Sequence, residues 1–185
     1  MRKVIRKVFW AWDFDKEEAW LNEMASRGLA LVAVDFCKYE FEECAPNEYG
    51  IQLELLDNIV SSEESRNYIS FVEETGAECV GTWIRWVYFR KKKDGGEFKL
   101  FSDKDSLIAH LQRIIIFIAV LGIANLPIGL LNVMLGINTL IEENVVVPNI
   151  YLGIFNLVIG IAALAGVSRL TRKKKKLEAE RQISE

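Results

Sequence analysis

The chain has 185 residues, of which 51% are apolar and 26% charged, and its formal net charge is −3 at pH 7. The charge is unevenly spread: residues 1–113 hold 16 Lys or Arg and 21 Asp or Glu, whereas residues 114–168 hold only Glu142 and Glu143. This distribution excludes a plain soluble globule. The acidic balance of the first part also argues against nucleic-acid binding, which needs clustered Lys and Arg.

Strand-like and helix-like patterns alternate over the first 102 residues. The predicted order is a strand over 4–12, a helix over 16–26 ending at Gly28, and a long strand over 29–41 with a bulge near Cys37 and Lys38. There follow a strand over 49–55 paired with the preceding one, a helix from Ser61 or Ser62 to Gly76, a strand over 79–90, a turn over 93–96 and a short edge strand over 98–101. We therefore expect a cytosolic α+β domain over residues 1–102 with the ferredoxin-like order β-α-β-β-α-β.

Two uncharged runs then predict a transmembrane hairpin. The expected parts are a juxtamembrane helix over 103–113, transmembrane helices over 114–138 and 145–168, an extracytoplasmic loop over 139–144 and a basic cytosolic tail over 169–185. About 24 helical residues span ~36 Å, which is enough to cross a hydrocarbon core of ~30 Å. Lys and Arg flank the runs but do not occur in the loop, so both termini are expected on the cytoplasmic side of the cell membrane.

Small and amide residues form a helical stripe in each run. The runs contain an internal repeat, LGIANLPIG at 121–129 and LGIFNLVIG at 152–160. The stripes consist of Gly122, Asn125, Gly129 and Asn132 in the first run and Gly153, Asn156 and Gly160 in the second. Such residues let helices approach closely in lipid and hydrogen-bond across the contact. We expect packing between the two runs, or between protomers of a homo-oligomer, rather than an ion path.

The sequence contains no recognisable catalytic constellation, so no catalytic residue, metal site or cofactor is predicted. His110 is the only histidine and is expected to be solvated near the membrane. The cysteines, Cys37, Cys44 and Cys79, form no C-x-x-C pair and are expected to be free thiols. The acidic cluster of Asp13, Asp15, Glu17, Glu18 and Glu23 is typical of a solvated helix start, although such carboxylates can also act as acid and base.

All five tryptophans lie in the first 113 residues, which is more than one small core needs. Aromatic surface beyond the core indicates a groove for a ligand or partner. The candidate binding residues are Trp10, Trp12, Asp13, Trp83, Arg85 and Trp86.

Several motifs resemble the domain of unknown function 2812 family. They are FWAWDFDKEEAWLNEMASRGLAL, Tyr39-x-Phe41, Tyr68-x-x-Phe71 and RWVYFRK ahead of the hydrophobic hairpin. The resemblance implies a bacterial membrane protein, encoded near PadR-type transcriptional regulators, with no active site to transfer.

These observations favour a membrane-anchored cytosolic binding module with a regulatory or adaptor role and no catalysis. Its expected partners are the lipid bilayer and a protein, either a regulator or a membrane complex. The alternative is an accessory subunit of a membrane transporter or other membrane complex, docking through the Gly/Asn faces of the hairpin.

Overall fold

The computed structural model describes residues 2–93, 96, 98–101, 103–143, 145 and 147–182. The chain divides into two compact units, Met1–Arg113 and Ile114–Glu185, here called the head and the hairpin. Asp94 and Gly95 of the predicted turn lie outside the described residues, as do Ser102 and Asn144 at two of the predicted boundaries.

The described strands of the head form two copies of one β-α-β-β unit. The first copy is β1 (Lys3–Arg6), α1 (Phe14–Ser26), β2 (Leu29–Asp35) and β3 (Lys38–Glu43), and the second is β4 (Tyr49–Leu55), α2 (Glu63–Glu74), β5 (Ala77–Trp83) and β6 (Trp86–Lys92). Each copy builds an antiparallel three-stranded sheet, ordered β1-β3-β2 in the first and β4-β6-β5 in the second. The head is therefore α+β.

The two copies match in detail. Helices α1 and α2 are each followed by a glycine with positive φ, Gly28 at 81° and Gly76 at 86°, which L side chains rarely adopt. The register of the following strand shifts just before Ala33 in β2 and just before Gly81 in β5. These features recur at the same spacing along the chain, which indicates an internal repeat that the sequence pattern did not reveal.

Two of the predicted strands are hairpins in the structure. The strand predicted over 29–41 turns at Phe36 and Cys37, and the one over 79–90 turns at Ile84 and Arg85. Neither turn contains the Gly, Asn or Asp on which hairpin prediction depends. The order is therefore β-α-β-β-β-α-β-β rather than β-α-β-β-α-β, β4 pairs with β6 rather than with its predecessor, and residues 98–101 form no strand.

The turns of the two hairpins lie close together. Strands β2 and β5 approach so closely that a Cβ on Gly81 would lie 2.9 Å from the backbone nitrogen of Val34. At the ends of these strands the Phe36 and Trp83 rings are 5.4 Å apart. One end of the head thus carries aromatic side chains from both copies.

The second unit consists of long helices. Helix α3 (Lys104–Glu143) begins in the head and runs through the predicted juxtamembrane helix and first span, and α4 (Pro148–Gln182) follows. Both are long and apolar enough to cross a membrane. The predicted loop over 139–144 is helical as far as Glu143, and the predicted tail is helical as far as Gln182. Helical backbone continues past the apolar runs because Lys, Glu and Arg are also good helix formers.

The glycines of the stripes lie where α3 and α4 meet. A Cβ on Gly153 would lie 2.8 Å from the Gly129 carbonyl oxygen, and one on Gly160 would lie 3.3 Å from that of Gly122. The stripes were expected to pack either between the two runs or between protomers, and the structure shows the packing between the two runs. The amides behave differently from expectation: Asn125 and Asn132 donate to carbonyls one turn back in their own helix, at 2.7 and 2.9 Å.

Candidate ligand cavity

Glu17 lies on the buried face of α1. It shares this face with Phe14, Leu21 and Met24, and the exposed fractions are 8% for Glu17, 6% for Phe14, 0% for Leu21 and 6% for Met24. Their spacing along the helix, i, i+3, i+7 and i+10, places one carboxylate within an apolar stripe. The prediction of a solvated acidic cluster is therefore wrong for Glu17. The same spacing is visible in the sequence and could have indicated that Glu17 lies on the buried face of the helix.

Two tyrosines, one from each copy of the repeat, bind the Glu17 carboxylate. The hydroxyls of Tyr39 on β3 and Tyr88 on β6 both donate to Oε1 of Glu17, each at 2.7 Å. Within the described part of the chain, no hydrogen bond reaches Oε2 and no ion pair involves this carboxylate. Sequence patterns could not place these tyrosines together because their contact joins distant strands.

Burial determines the protonation of this cluster. It raises the pKa of Glu17 above the ordinary carboxyl value, although the two tyrosine hydrogen bonds act in the opposite direction. Burial, together with the nearby Glu17 charge, also raises the pKa values of Tyr39 and Tyr88. Both hydroxyls therefore remain protonated donors.

The cluster lines a cavity of about 70 Å³. Six aromatic side chains form most of its wall, namely Phe9, Phe36, Tyr39, Trp83, Trp86 and Tyr88. Ala11, Glu17, Asp35 and Cys37 complete the lining, so the described lining residues include two carboxylates and no Lys or Arg. One lining residue, Phe36, is 68% exposed, so part of the cavity wall lies at the surface of the head.

Two of the candidate binding residues line this cavity. Trp83 packs on the exposed Phe36, whereas Trp86 is only 5% exposed and packs 5.9 Å from the Phe14 ring. Trp83 therefore offers an accessible aromatic face, while Trp86 forms part of the inner wall.

The other four candidates do not line the cavity. Trp10 and Trp12 stack on each other with ring centroids 5.0 Å apart. Asp13 forms an ion pair of 2.6 Å with Lys16, and the Arg85 guanidinium donates to the Leu56 carbonyl oxygen. Arg85 thus holds the β5–β6 turn against the end of β4.

A second buried carboxylate, Glu54, is neutralised by protein groups. It accepts from the Tyr68 hydroxyl at 2.6 Å and pairs with Arg113 at 2.9 Å, and Arg113 also pairs with Asp57. Burial raises the pKa of Glu54, while Tyr68 and Arg113 act to lower it. These residues line a larger cavity of about 490 Å³. Unlike Glu17, Glu54 already has a cation beside it.

His110 is fully buried, so the prediction of a solvated histidine is wrong. Its ring lies 4.7 Å from Phe101, 5.3 Å from Phe14 and 6.2 Å from Trp86. His110 packs among these aromatic rings because the first turns of α3, which carry it, belong to the head and precede the apolar run. In the described residues, no three His, Cys, Asp or Glu side chains are grouped to hold a metal.

The comparisons with known proteins give one match. A family model described as "Protein of unknown function (DUF2812)" matches residues 13–123, which cover most of the head and the beginning of the hairpin. Comparison with curated proteins and comparison with solved structures each gave no match.

Proposed function

The chain belongs to the DUF2812 family, and we propose that it is a membrane-anchored cytosolic binding module with a regulatory or adaptor role, rather than an enzyme. One observation carries this proposal. The head contains an aromatic cavity with a buried carboxylate, and the same chain continues into two helices long and apolar enough to cross a membrane.

The exposed surface of the hairpin supports insertion in lipid. Large apolar side chains that are about half exposed or more occur along both helices, for example Val120, Ile123, Leu131, Met134, Phe155, Val158 and Ile161. Soluble proteins rarely expose apolar patches larger than a few hundred Å². A bilayer removes this surface from water at no further structural cost.

The flanking charges support cytosolic termini. Arg169, Arg172 and the lysines at 173–176 follow the second apolar run, whereas the connection between the runs has Glu142 and Glu143 and no Lys or Arg. Positive flanks are retained on the cytoplasmic side. This orientation places the head, and its cavity, in the cytosol.

The contacts of Glu18 and Asp13, two members of the acidic cluster, support a non-catalytic role for these two carboxylates. Glu18 accepts hydrogen bonds from the backbone of Leu53 and the side chain of Gln52, and Asp13 pairs with Lys16. A general acid or base must be within reach of a reacting group. These carboxylates are instead used to hold the head together.

The alternative role, as an accessory subunit docking through the Gly/Asn faces, has less support. The glycines of both stripes lie in the contact between α3 and α4. A transporter or other complex would have to dock on the outer, apolar surface of the hairpin. The protein partner favoured by our proposal contacts the head, as a transcriptional regulator of the type implied by the family resemblance would.

The native cysteines test the sidedness of this arrangement. Cys37, Cys44 and Cys79 all lie in the head and none lies in the hairpin. In intact spheroplasts, a membrane-impermeant maleimide should leave the full-length chain unlabelled, and lysis should expose the cysteines to it. As a matched control, Glu142→Cys in a background with the three cysteines changed to Ser should be labelled from outside. Labelling of the native cysteines in intact spheroplasts would contradict the proposal.

A further inference from the structure

We propose that the aromatic cavity binds a methylated ammonium group, with the Glu17 carboxylate as its counter-charge. This inference deepens the proposed binding function and rests on it. It commits to the chemical class of the ligand, namely an organic cation whose charge is surrounded by carbon.

The charge of the cavity favours a cation. Glu17 is 8% exposed, and no ion pair involves it among the described residues. Asp35 adds a second carboxylate to the lining. A buried carboxylate without a partner cation is costly, and Glu17 reduces this cost by holding its proton more tightly, since burial raises its pKa. Glu54 has Arg113 beside it instead. At Glu17 the place of that cation is open, and a cationic ligand there would stabilise the ionised carboxylate.

The walls favour a cation that is not strongly hydrated. Aromatic faces attract cations through their quadrupole by roughly 0.5–2 kcal/mol each, most strongly when the cation is desolvated. Six aromatic side chains line this cavity, among them Trp83 and Trp86; one of the six, Phe9, already has the Lys7 ammonium 4.9 Å from its ring centroid, which leaves five for a ligand. Such a cage with a carboxylate at its inner wall resembles sites that recognise quaternary ammonium groups.

Hydrogen bonding separates a methylated ammonium from a primary one. A primary ammonium has three N–H donors that need acceptors after burial. Here Oε1 of Glu17 already accepts from the Tyr39 and Tyr88 hydroxyls, so this carboxylate offers only Oε2 to the three donors of a primary ammonium. The remaining lining is mostly aromatic. A quaternary ammonium has no N–H group and therefore leaves no donor unsatisfied.

The dimensions admit part of a headgroup rather than a whole ligand. The cavity of about 70 Å³ is about half the size of a 150 Å³ cavity that holds benzene, and a trimethylammonium group is about as large as benzene. The lining includes the exposed Phe36, whose ring lies 5.4 Å from that of Trp83. We therefore expect the leading methyl groups to enter the cavity while the rest of the molecule lies against these two rings.

Choline and its neutral carbon isostere, 3,3-dimethyl-1-butanol, provide a matched test because they differ in charge but hardly in shape. Both would be titrated into the full-length protein in a maltoside detergent at constant ionic strength, with tryptophan fluorescence as the readout. Trp83 and Trp86 line the cavity and report on occupancy. We expect choline to bind at least about tenfold more tightly than the isostere.

Variants on one helix isolate the role of the carboxylate. Glu17→Gln keeps the shape and should reduce choline affinity by about tenfold while leaving the isostere unchanged. Glu23→Gln, on the exposed side of the same helix, should bind as the wild type does. The unfolding transition of each variant, followed by the same fluorescence, shows whether it is folded.

Each outcome of this titration has a defined meaning. Equal affinity for choline and the isostere in the wild type would overturn the charge assignment but leave a binding cavity. Unchanged choline binding in a folded Glu17→Gln protein would also overturn the assignment of Glu17 as the counter-charge. If neither probe binds the wild type, this inference is wrong, while the proposed membrane-anchored role is decided separately by the cysteine labelling. If Glu17→Gln fails to fold, the affinities of choline and of the isostere for the wild type decide whether the cavity prefers a cation.

Discussion

The buried Glu17 carboxylate couples the stability of the head to pH. Its pKa is raised in the folded protein, so the native state keeps a proton that the unfolded chain releases near the ordinary carboxyl pKa. Stability contributed by the protonated form is therefore present at low pH and is lost as pH rises towards the raised pKa. The groups facing this carboxyl are the Tyr39 and Tyr88 hydroxyls, with Asp35 and Cys37 in the same cavity wall.

Glu17→Gln should remove this pH dependence because glutamine has no proton to release. Relative to the wild type, the variant should gain free energy of unfolding as the pH rises from the ordinary carboxyl pKa of about 4.3 towards the raised pKa of Glu17, with Glu54 contributing equally to both proteins. Because every tryptophan lies in the head, urea unfolding followed by tryptophan fluorescence measures this in the full-length chain. A constant difference between the two proteins over this range would contradict the assigned pKa direction.

Ile84 occupies a strained backbone conformation. Its φ is +58°, in the left-handed region, and it is 54% exposed at the β5–β6 turn. A left-handed conformation costs an L residue about 1–2 kcal/mol, and glycine avoids this cost while losing some entropy on folding. The strain is offset by the strands that the turn joins.

Ile84→Gly should therefore stabilise the head by about 0.5–1 kcal/mol. Ile59, which is 60% exposed and has no positive φ, provides the control, because Ile59→Gly should destabilise the head. Urea unfolding of both variants checks the sign. Destabilisation by Ile84→Gly comparable to that by Ile59→Gly would show that the turn carries no relevant strain.

At the scale of elements, helix α1 caps the open edge of strand β4. The Asn22 side chain donates to the Ile51 carbonyl oxygen at 2.8 Å and accepts from the Ile51 N–H at 3.0 Å. The Glu18 carboxylate accepts from the Leu53 N–H at 3.0 Å. An unpaired sheet edge is a site for unwanted strand pairing, and these side chains take the place of a neighbouring strand.

Asn22→Ala should destabilise the head by about 2 kcal/mol because it removes both hydrogen bonds to the Ile51 backbone, together with a third to the Glu18 carbonyl oxygen. Asn67→Ala, an exposed position in α2, makes the same change without such contacts and should alter stability by less than about 0.5 kcal/mol. Thermal unfolding of the full-length variants distinguishes the two. Equal effects would show that the side chain does not support the β4 edge.

Local sequence signals predicted the helices better than the strand pairing. Ser62 caps α2 through the Ser65 N–H, and Gly28 and Gly76 follow the helix ends as expected. The hairpin turns escaped prediction because Phe36-Cys37 and Ile84-Arg85 lack the usual turn residues. The change of side-chain parity near Cys37 was interpreted as a bulge. Trp83 and Trp86 could be proposed as binding residues from the surplus of tryptophans alone. Tyr39 and Tyr88 could not, because only the non-local packing of β3 and β6 brings them to Glu17.

At the scale of the whole molecule, chemistry is divided between the two units. The head holds every tryptophan and cysteine and the buried carboxylates, whereas residues 114–168 hold only two charged residues. The glycines of the internal repeat allow α3 and α4 to pack closely and leave larger apolar side chains outside. This division agrees with the binding domain on a membrane anchor that we propose.

The proposed function depends above all on insertion of α3 and α4 in a membrane. Insertion is measured most directly by washing membranes that contain the full-length chain with alkaline carbonate and floating them on a density gradient. Carbonate releases peripheral proteins, and flotation separates inserted chains from aggregates. The chain should float with the lipid and should be released only by detergent. Recovery of the full-length chain in the carbonate-soluble fraction, without detergent, would contradict the proposed function.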